Sequence, residues 1–221
     1  MMSLLQLIKQ AGQDKSIYRM LMNRELQQWR TDVGGVVLDL ASGQMPSYRR
    51  VLGLMKTPSV RMIGVDYKRE LRPQVVADMQ YPLPFKDKIA DIVIISSFLY
   101  IHPEPKELLN ESRRLLKPKG MLLLTVPLIY PHNPEPTDYW RFTDEGLRLL
   151  LNHAGFNDFT IIPFGGRWSA AVYLLSPFLR PRKIVAPVVY WMSIKLDTWT
   201  DKSLTLPKCP IGYVVKARPS V

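Results

Sequence analysis

The fold is decided between residues 36 and 66. Val36-Val37-Leu38-Asp39-Leu40 runs into Ala41-Ser42-Gly43-Gln44, and Arg61-Met62-Ile63-Gly64-Val65-Asp66 follows an intervening segment. Each apolar stretch has the length and valine-rich or isoleucine-rich composition of a buried strand, and each is closed by a carboxylate. Between them, Pro46 to Met55 reads as a helix, because the fixed φ of Pro46 suits a first helical turn. Strand, tight turn of small residues, helix and second strand together open a parallel α/β sheet.

Outward from this unit, Pro73 to Ala77 reads as a third strand and Ile89 to Ser96 as a fourth. Pro103 to Lys117 reads as a helix. Leu108-Leu109 recurs as Leu115-Leu116 seven residues on, and Lys119-Gly120 is expected to stop it before a fifth strand, Met121 to Val126. Thr143 as N-cap, Asp144 and Glu145 at the positive end of the dipole, and Gly155 after the last turn bound a later helix. Asp158 to Pro163 and Ile211 to Ala217 read as closing strands, and Asp14 to Arg30 as a leading helix. The expected fold is therefore α/β and Rossmann-like: a seven-stranded, mostly parallel sheet with helices on both faces. A helical insertion is expected before the last strand. The domain reading is a helical segment at 1–32, a ligand-binding core at 33–164, a basic and apolar insertion at 165–209 and a closing strand at 210–221.

Ligands of such sheets lie at the carboxyl ends of the strands. Asp39, Asp66 and Asp78 all fall at that edge. Alone, Asp39 reads as a helix cap or turn former; beside Asp66 and Asp78 it reads as part of a ligand site. Asp66 can accept from both hydroxyls of a ribose. The turn lacks G-x-G-x-x-G and begins with an acid, which suits a cationic ligand and disfavours the pyrophosphate of NAD.

Val37-Leu38-Asp39-Leu40-Ala41-Ser42-Gly43, Gly64-Val65-Asp66-Tyr67, Ala77-Asp78-Met79 and Ala90-Asp91-Ile92-Val93 resemble successive motifs of class I S-adenosylmethionine (SAM)-dependent methyltransferases. Arg114-Leu115-Leu116-Lys117-Pro118-Lys119-Gly120-Met121-Leu122 resembles that family's passage into its fifth strand. The stretch from His132 to Thr143, with Ala154-Gly155-Phe156, is similar to the type 11 group. The resemblance implies an antiparallel last strand and SAM as cofactor, with Asp39 and the Ala41, Ser42 and Gly43 backbone around its amino-acid part. It further implies Asp66 on the ribose, Tyr67 against the adenine, Asp78 and the Met79 backbone on the adenine edge, and Ser96 and Ser97 on the floor. The family usually has glycine where this chain has Ala41. No metal is implied.

The resemblance also implies an acceptor for the methyl group. The loop from Pro127 to Phe142 follows the fifth strand and is stiffened by Pro127, Pro131, Pro134 and Pro136. Within it, Asp138, Tyr139, Trp140 and Arg141 are the acceptor-binding candidates, the alternative being that they pack and pair under the loop. His132 is the candidate general base, and His102 after the fourth strand is its competitor. The subgroup points to a small-molecule or glycan-like acceptor. Two other readings stay open: a nucleic-acid methyltransferase using the basic tail, and a non-catalytic binding module on the same fold.

The chain has 221 residues, 47% of them hydrophobic and 22% charged, which excludes a disordered or collagen-like chain. Cys209 is the single cysteine, so no internal disulfide forms and a reducing, cytoplasmic setting is expected. No secretory signal and no apolar run long enough to span a bilayer is read. Of the formal net charge of +11, Gly165 to Val221 carries +7, from nine bases and two acids. A solvated face, nucleic acid or an anionic membrane surface would each account for this charge. Trp168 to Leu179 and Ile184 to Ile194 are apolar stretches around the basic break Arg180-Pro181-Arg182-Lys183. They read as a helical lid or homodimer surface, with peripheral membrane contact through 168–195 as the alternative.

Overall fold

The computed structural model of the chain describes residues 16–44, 46–55, 57–134, 137–179, 185–203 and 208–220. The expected helix start at Asp14, Pro136 and the basic break Arg180-Pro181-Arg182-Lys183 lie outside the described residues.

One sheet organises the molecule. Its strands are β1 (Gly35–Leu40), β2 (Val60–Asp66), β3 (Val75–Val76), β4 (Ala90–Ser96), β5 (Leu116–Pro127), β6 (Phe156–Phe164) and β7 (Gly212–Pro219), in the spatial order β3-β2-β1-β4-β5-β7-β6. The first five pair in parallel, and β7 runs antiparallel between β5 and β6. Alternation along the strands separates two cores. Leu38, Leu40, Val93, Ile95, Leu122 and Leu124 face one way; Val37, Ile92, Ile94, Met121 and Leu123 face the other.

The first core is covered by α3 (Pro105–Leu115) and α4 (Asp144–His153), through Leu108, Leu109, Leu115, Leu147 and Leu151. The second is covered by α1 (Ile17–Leu26) and by α5 (Arg167–Leu174) and α7 (Val185–Ser203) of the insertion. Two short helices, α2 (Ser47–Val51) and α6 (Ser176–Leu179), complete the set. Helix ends follow local chemistry. Ser16 caps α1 by accepting from the Arg19 amide at 3.3 Å, and Thr143 caps α4 by accepting from Gly146 at 3.1 Å. The cap of α5 comes from another helix: the buried Asp197 of α7 accepts from the amides of Trp168 (2.8 Å) and Ser169 (3.1 Å) and from the Ser169 hydroxyl.

Several boundaries differ from expectation; the leading helix, for one, ends at Leu26 rather than Arg30. The helix read from Pro46 to Met55 spans Ser47–Val51, with Pro46 as its N-cap and Gly53 turning the chain at φ +76°. The helix expected to run to Lys117 ends at Leu115, and β5 begins at Leu116. Pro118 is the cause, because the residue before a proline is pushed out of helical φ/ψ. Ala90 pairs with Leu116 and Ile92 with Met121, so Lys117 to Gly120 bulge from the ladder. A Cβ on Gly120 would lie 2.9 Å from the Lys117 carbonyl oxygen, hence the glycine. Lys117 reaches back to Asp91 at 2.8 Å, and Asp91 also accepts from the Val36 amide at 2.8 Å.

Candidate active site

Strand order reverses between β1 and β4, whose ends lie side by side with Leu40 opposite Ile95. Beyond these ends stand Ala41-Ser42-Gly43 and Ser96-Ser97, at the place where open α/β sheets hold ligands. Two of these residues have left-handed backbone without being glycine: Ala41 at φ +57° and Ser97 at φ +51°. Each such residue costs on the order of 1–3 kcal/mol and persists only where its surroundings hold it. Here they do. The Ser42 amide donates to the Val65 carbonyl at 3.0 Å, and the Ser97 amide donates to both the carbonyl (3.0 Å) and the hydroxyl (2.9 Å) of Thr125.

Asp39 and Asp66 lie on the same face of the sheet, since Asp39 is opposite Gly64 and Asp66 follows two residues later. The Asp39 side chain has no exposed surface. It accepts from the Tyr48 hydroxyl at 2.6 Å and from Arg49 Nε at 2.7 Å, both residues of α2. Burial pushes its carboxyl up to about 6, against the Arg49 guanidinium and the Tyr48 hydroxyl, which pull it down. Asp66, also buried, accepts from the Gly43 amide at 3.0 Å and the Lys68 amide at 3.0 Å. Each of its oxygens keeps a lone pair for a further donor. Gly64 makes room for the loop: a Cβ there would meet the Ser42 hydroxyl at 2.9 Å. A Cβ on Gly43 would meet nothing within 4 Å, so the backbone there borders open space. Tyr67 is exposed. Asp78 is exposed, with one oxygen accepting from the Gln80 amide at 2.9 Å.

These features fit an adenosyl ligand. A buried, acceptor-rich carboxylate, an exposed flat ring and a second carboxylate that is exposed follow one another beside an uncrowded glycine loop. Next to the loop lies a cavity of about 170 Å³, lined by Ala41, Ser42, Gly43, Ser96 and Ser97 and by Ser16, Tyr18, Arg19 and Met22 of the leading helix. Tyr48 and Tyr130 complete its aromatic wall. The Tyr18 hydroxyl is buried and faces Ser97 without completing a hydrogen bond, and burial pushes its ionisation well above the ordinary phenol range.

The loop after β5 is differently placed. Arg141, expected at the acceptor, grips Asp138 with two nitrogens at 2.5 and 2.7 Å. It also donates to the carbonyls of Tyr130, Pro131 and Trp140 and lies 5.6 Å from the Tyr100 ring centre. Asp138 also accepts from the Asn133 amide, and the guanidinium beside it holds its carboxyl below the usual range. The amides of Tyr139 and Trp140 donate to the Tyr100 carbonyl, and the Trp140 indole donates to the His102 carbonyl at 3.0 Å. This loop is thus tied to the turn after β4. His102 is buried; its Nδ1 accepts from the Glu104 amide, which leaves Nε2 as donor to the Met79 carbonyl at 3.1 Å. Both ring nitrogens are engaged, so His102 joins two loops and offers no lone pair to a substrate. His132 is exposed.

Sequence reasoning passed over Arg49, Tyr48 and the ring cluster of Tyr18, Tyr100, Tyr130 and Tyr173, whose neighbouring centres lie 5.3–5.8 Å apart. Burial raises Tyr100 to about 12. Arg49 carried one usable signal: a buried strand-end acid needs a cation, and the helix that starts at Ser47 supplies it.

Comparison with known proteins agrees with this geometry. The family model described as methyltransferase domain matches residues 38–124, which span the loop, Asp39, Asp66, Asp78 and both serines. An uncharacterized protein of Methanocaldococcus jannaschii is 32% identical over 119 residues, 52% of this chain and 46% of that protein, so the chain spans just under half the length of this curated relative. A SAM-dependent methyltransferase of Archaeoglobus fulgidus shares the fold with a TM-score of 0.58 at 20% identity, over 90% of this chain and 94% of that one. Phosphoethanolamine N-methyltransferase 2 of Haemonchus contortus, solved with S-adenosyl-L-methionine, gives 0.59 at 14% identity over 90% and 52%. Residues 38–124 thus match a methyltransferase domain, and the chain shares its fold with solved SAM-dependent methyltransferases.

Proposed function

We propose that the chain transfers the methyl group of SAM to a small-molecule or glycan-like acceptor bound in the cavity between α1 and the turn after β4. The observation that carries this reading is the bond from the Gly43 amide to Asp66, which locks the glycine loop to a buried carboxylate beside an open cavity. When bound, SAM supplies a methyl group on a cationic sulfur that needs no further activation. The chain's own residues bind and align. Asp66 accepts from ribose hydroxyls, Tyr67 lies against the adenine, and Asp78 and the Met79 backbone read its edge. Holding two reactants in line contributes roughly 7–11 kcal/mol of the barrier.

Among the described residues, the cavity lining holds neither imidazole nor carboxylate. This supports an acceptor group that needs no strong base, an amine or a carboxylate; for a hydroxyl acceptor His132 is the base to test. The free Cys209 supports a cytoplasmic setting. Calorimetric titration with S-adenosylhomocysteine tests the proposal. The wild type binds, and Asp66→Ala binds at least about tenfold more weakly, as expected for lost hydrogen bonds to a charged group. No binding by the folded wild type overturns it.

A further inference from the structure

The inserted helices present two apolar surfaces, and one has no partner among the described residues. Ala170, Tyr173, Ala186, Tyr190 and Ile194 are buried against the sheet side. In contrast, Val185, Val188, Met192 and Trp199 of α7 are 42%, 41%, 50% and 57% exposed. Their spacing of three, four and seven residues places them on one stripe. Trp168 and Leu175, seven residues apart on and just after α5, are 44% and 54% exposed, and Phe178 of α6 is 75% exposed. Of fifteen exposed large apolar side chains among the described residues, eight lie between residues 168 and 199. That concentration marks a surface for contact rather than scattered exposure.

The surface is held rigidly. The Trp168 indole donates to Thr200 of α7 at 3.0 Å, and Asp197 caps α5 across the pair. It is also cationic. Lys195 and Lys202 each follow a stripe residue by three positions, Met192 and Trp199, and so flank the stripe. Of the nine bases between Gly165 and Val221, Lys216 and Arg218 lie on β7 and pair with Asp32 and Asp158, while Lys195 and Lys202 sit beside the stripe; of the two acids, Asp197 is buried as a cap. No helix among the described residues is long and apolar enough to cross a membrane.

We propose that this face of α5 to α7 docks on an anionic lipid surface, with tryptophan, phenylalanine and methionine entering the interface and lysines meeting acidic headgroups. Charge selects this occupant over a second copy of the chain, because a two-fold contact would bring together two stripes that are each flanked by Lys195 and Lys202. The face is coupled to the cavity: Tyr173 of α5 packs 5.5 Å from Tyr18 and 5.8 Å from Tyr130, ring centre to ring centre, and both of those line it. Resting on the function proposed above, this arrangement suits an acceptor carried at the membrane surface, such as a lipid-linked glycan.

Flotation with phosphatidylcholine vesicles, with and without phosphatidylglycerol, tests the docking. Wild-type protein floats with the anionic vesicles and releases as salt is raised. Phe178→Ser/Trp199→Ser and Lys195→Glu/Lys202→Glu each weaken this at least about tenfold, consistent with roughly 1 kcal/mol per basic residue at such a surface. Thermal melting shows that these exposed substitutions leave the fold intact. Docking is overturned if the wild type floats with neither vesicle, or if both double variants float like wild type. It is equally overturned if light scattering shows a dimer that Phe178→Ser/Trp199→Ser dissociates. Loss of S-adenosylhomocysteine binding by wild type would overturn the enzymatic reading and leave the flotation result standing.

Discussion

Asp39 and Asp66 close neighbouring parallel strands on one face of the sheet, and both are buried, yet they are satisfied in different ways. Asp39 is held by two side chains of α2, a guanidinium and a phenol, so its charge is matched inside the protein. Asp66 is held by two backbone amides, one of them in the glycine loop, and among the described residues its charge meets no side-chain cation in hydrogen-bond contact. The first arrangement fastens the helix that follows the loop. The second keeps a negative group beside the ligand site and spends it on the loop's shape. Two aspartates in similar sequence settings therefore divide the work, one anchoring the scaffold and the other, on the function proposed above, serving the ligand.

Arg49→Met should break the comparison most severely. Removing one partner of a buried ion pair leaves an uncompensated carboxylate and costs about 3–5 kcal/mol. Urea denaturation would show that loss, and a change under 1 kcal/mol would mean the pair does not anchor α2.

The pH dependence follows next. Asp39 titrates near 6 in the folded chain against an ordinary 3.8, so its folded form favours the proton. Its contribution to stability is complete below about pH 4 and is lost as pH rises through 6. Asp91, Glu111 and Asp138 are shifted downward and act at lower pH with the opposite sign. The difference between wild type and Asp39→Asn, followed by thermal melting from pH 4 to 7, isolates the Asp39 share; a flat difference would contradict it.

Tyr48→Phe sharpens the comparison more gently. It strips one donor from the buried carboxylate and should cost about 1–3 kcal/mol in the same urea experiment, with S-adenosylhomocysteine affinity less affected than by Asp66→Ala. The smallest effect belongs to Ala41→Gly. Glycine carries no left-handed penalty, so relief of the backbone should stabilise the chain by about 1 kcal/mol after the unfolded-state entropy of glycine is offset. Destabilisation instead would show that the Ala41 methyl packs usefully.

The sheet was legible because valine and isoleucine runs mark buried parallel strands whatever surrounds them. The carboxyl-edge residues were legible because a parallel sheet leaves only that edge for a ligand. Arg49 was less so, since its pairing depends on α2 turning back across β1. The brace between Arg141 and Asp138 was weighed only as an alternative, because a planar fork in a proline-rich loop suits a bound anion equally well. The tyrosine cluster draws on four distant segments and leaves no local pattern. The end of α3 was there to be read in Pro118; attention to Lys119-Gly120 obscured it.

The position of β7 has a consequence for how the chain is assembled. This strand lies between β5 and β6, and β6 pairs with nothing else in the sheet. On the ribosome, β6 and the whole insertion are therefore made before the partner that holds them exists. A stop codon between Phe164 and Gly212 removes one strand from the sequence but strips two from the sheet, leaving the outer edge of β5 open to the pairing between molecules that begins aggregation.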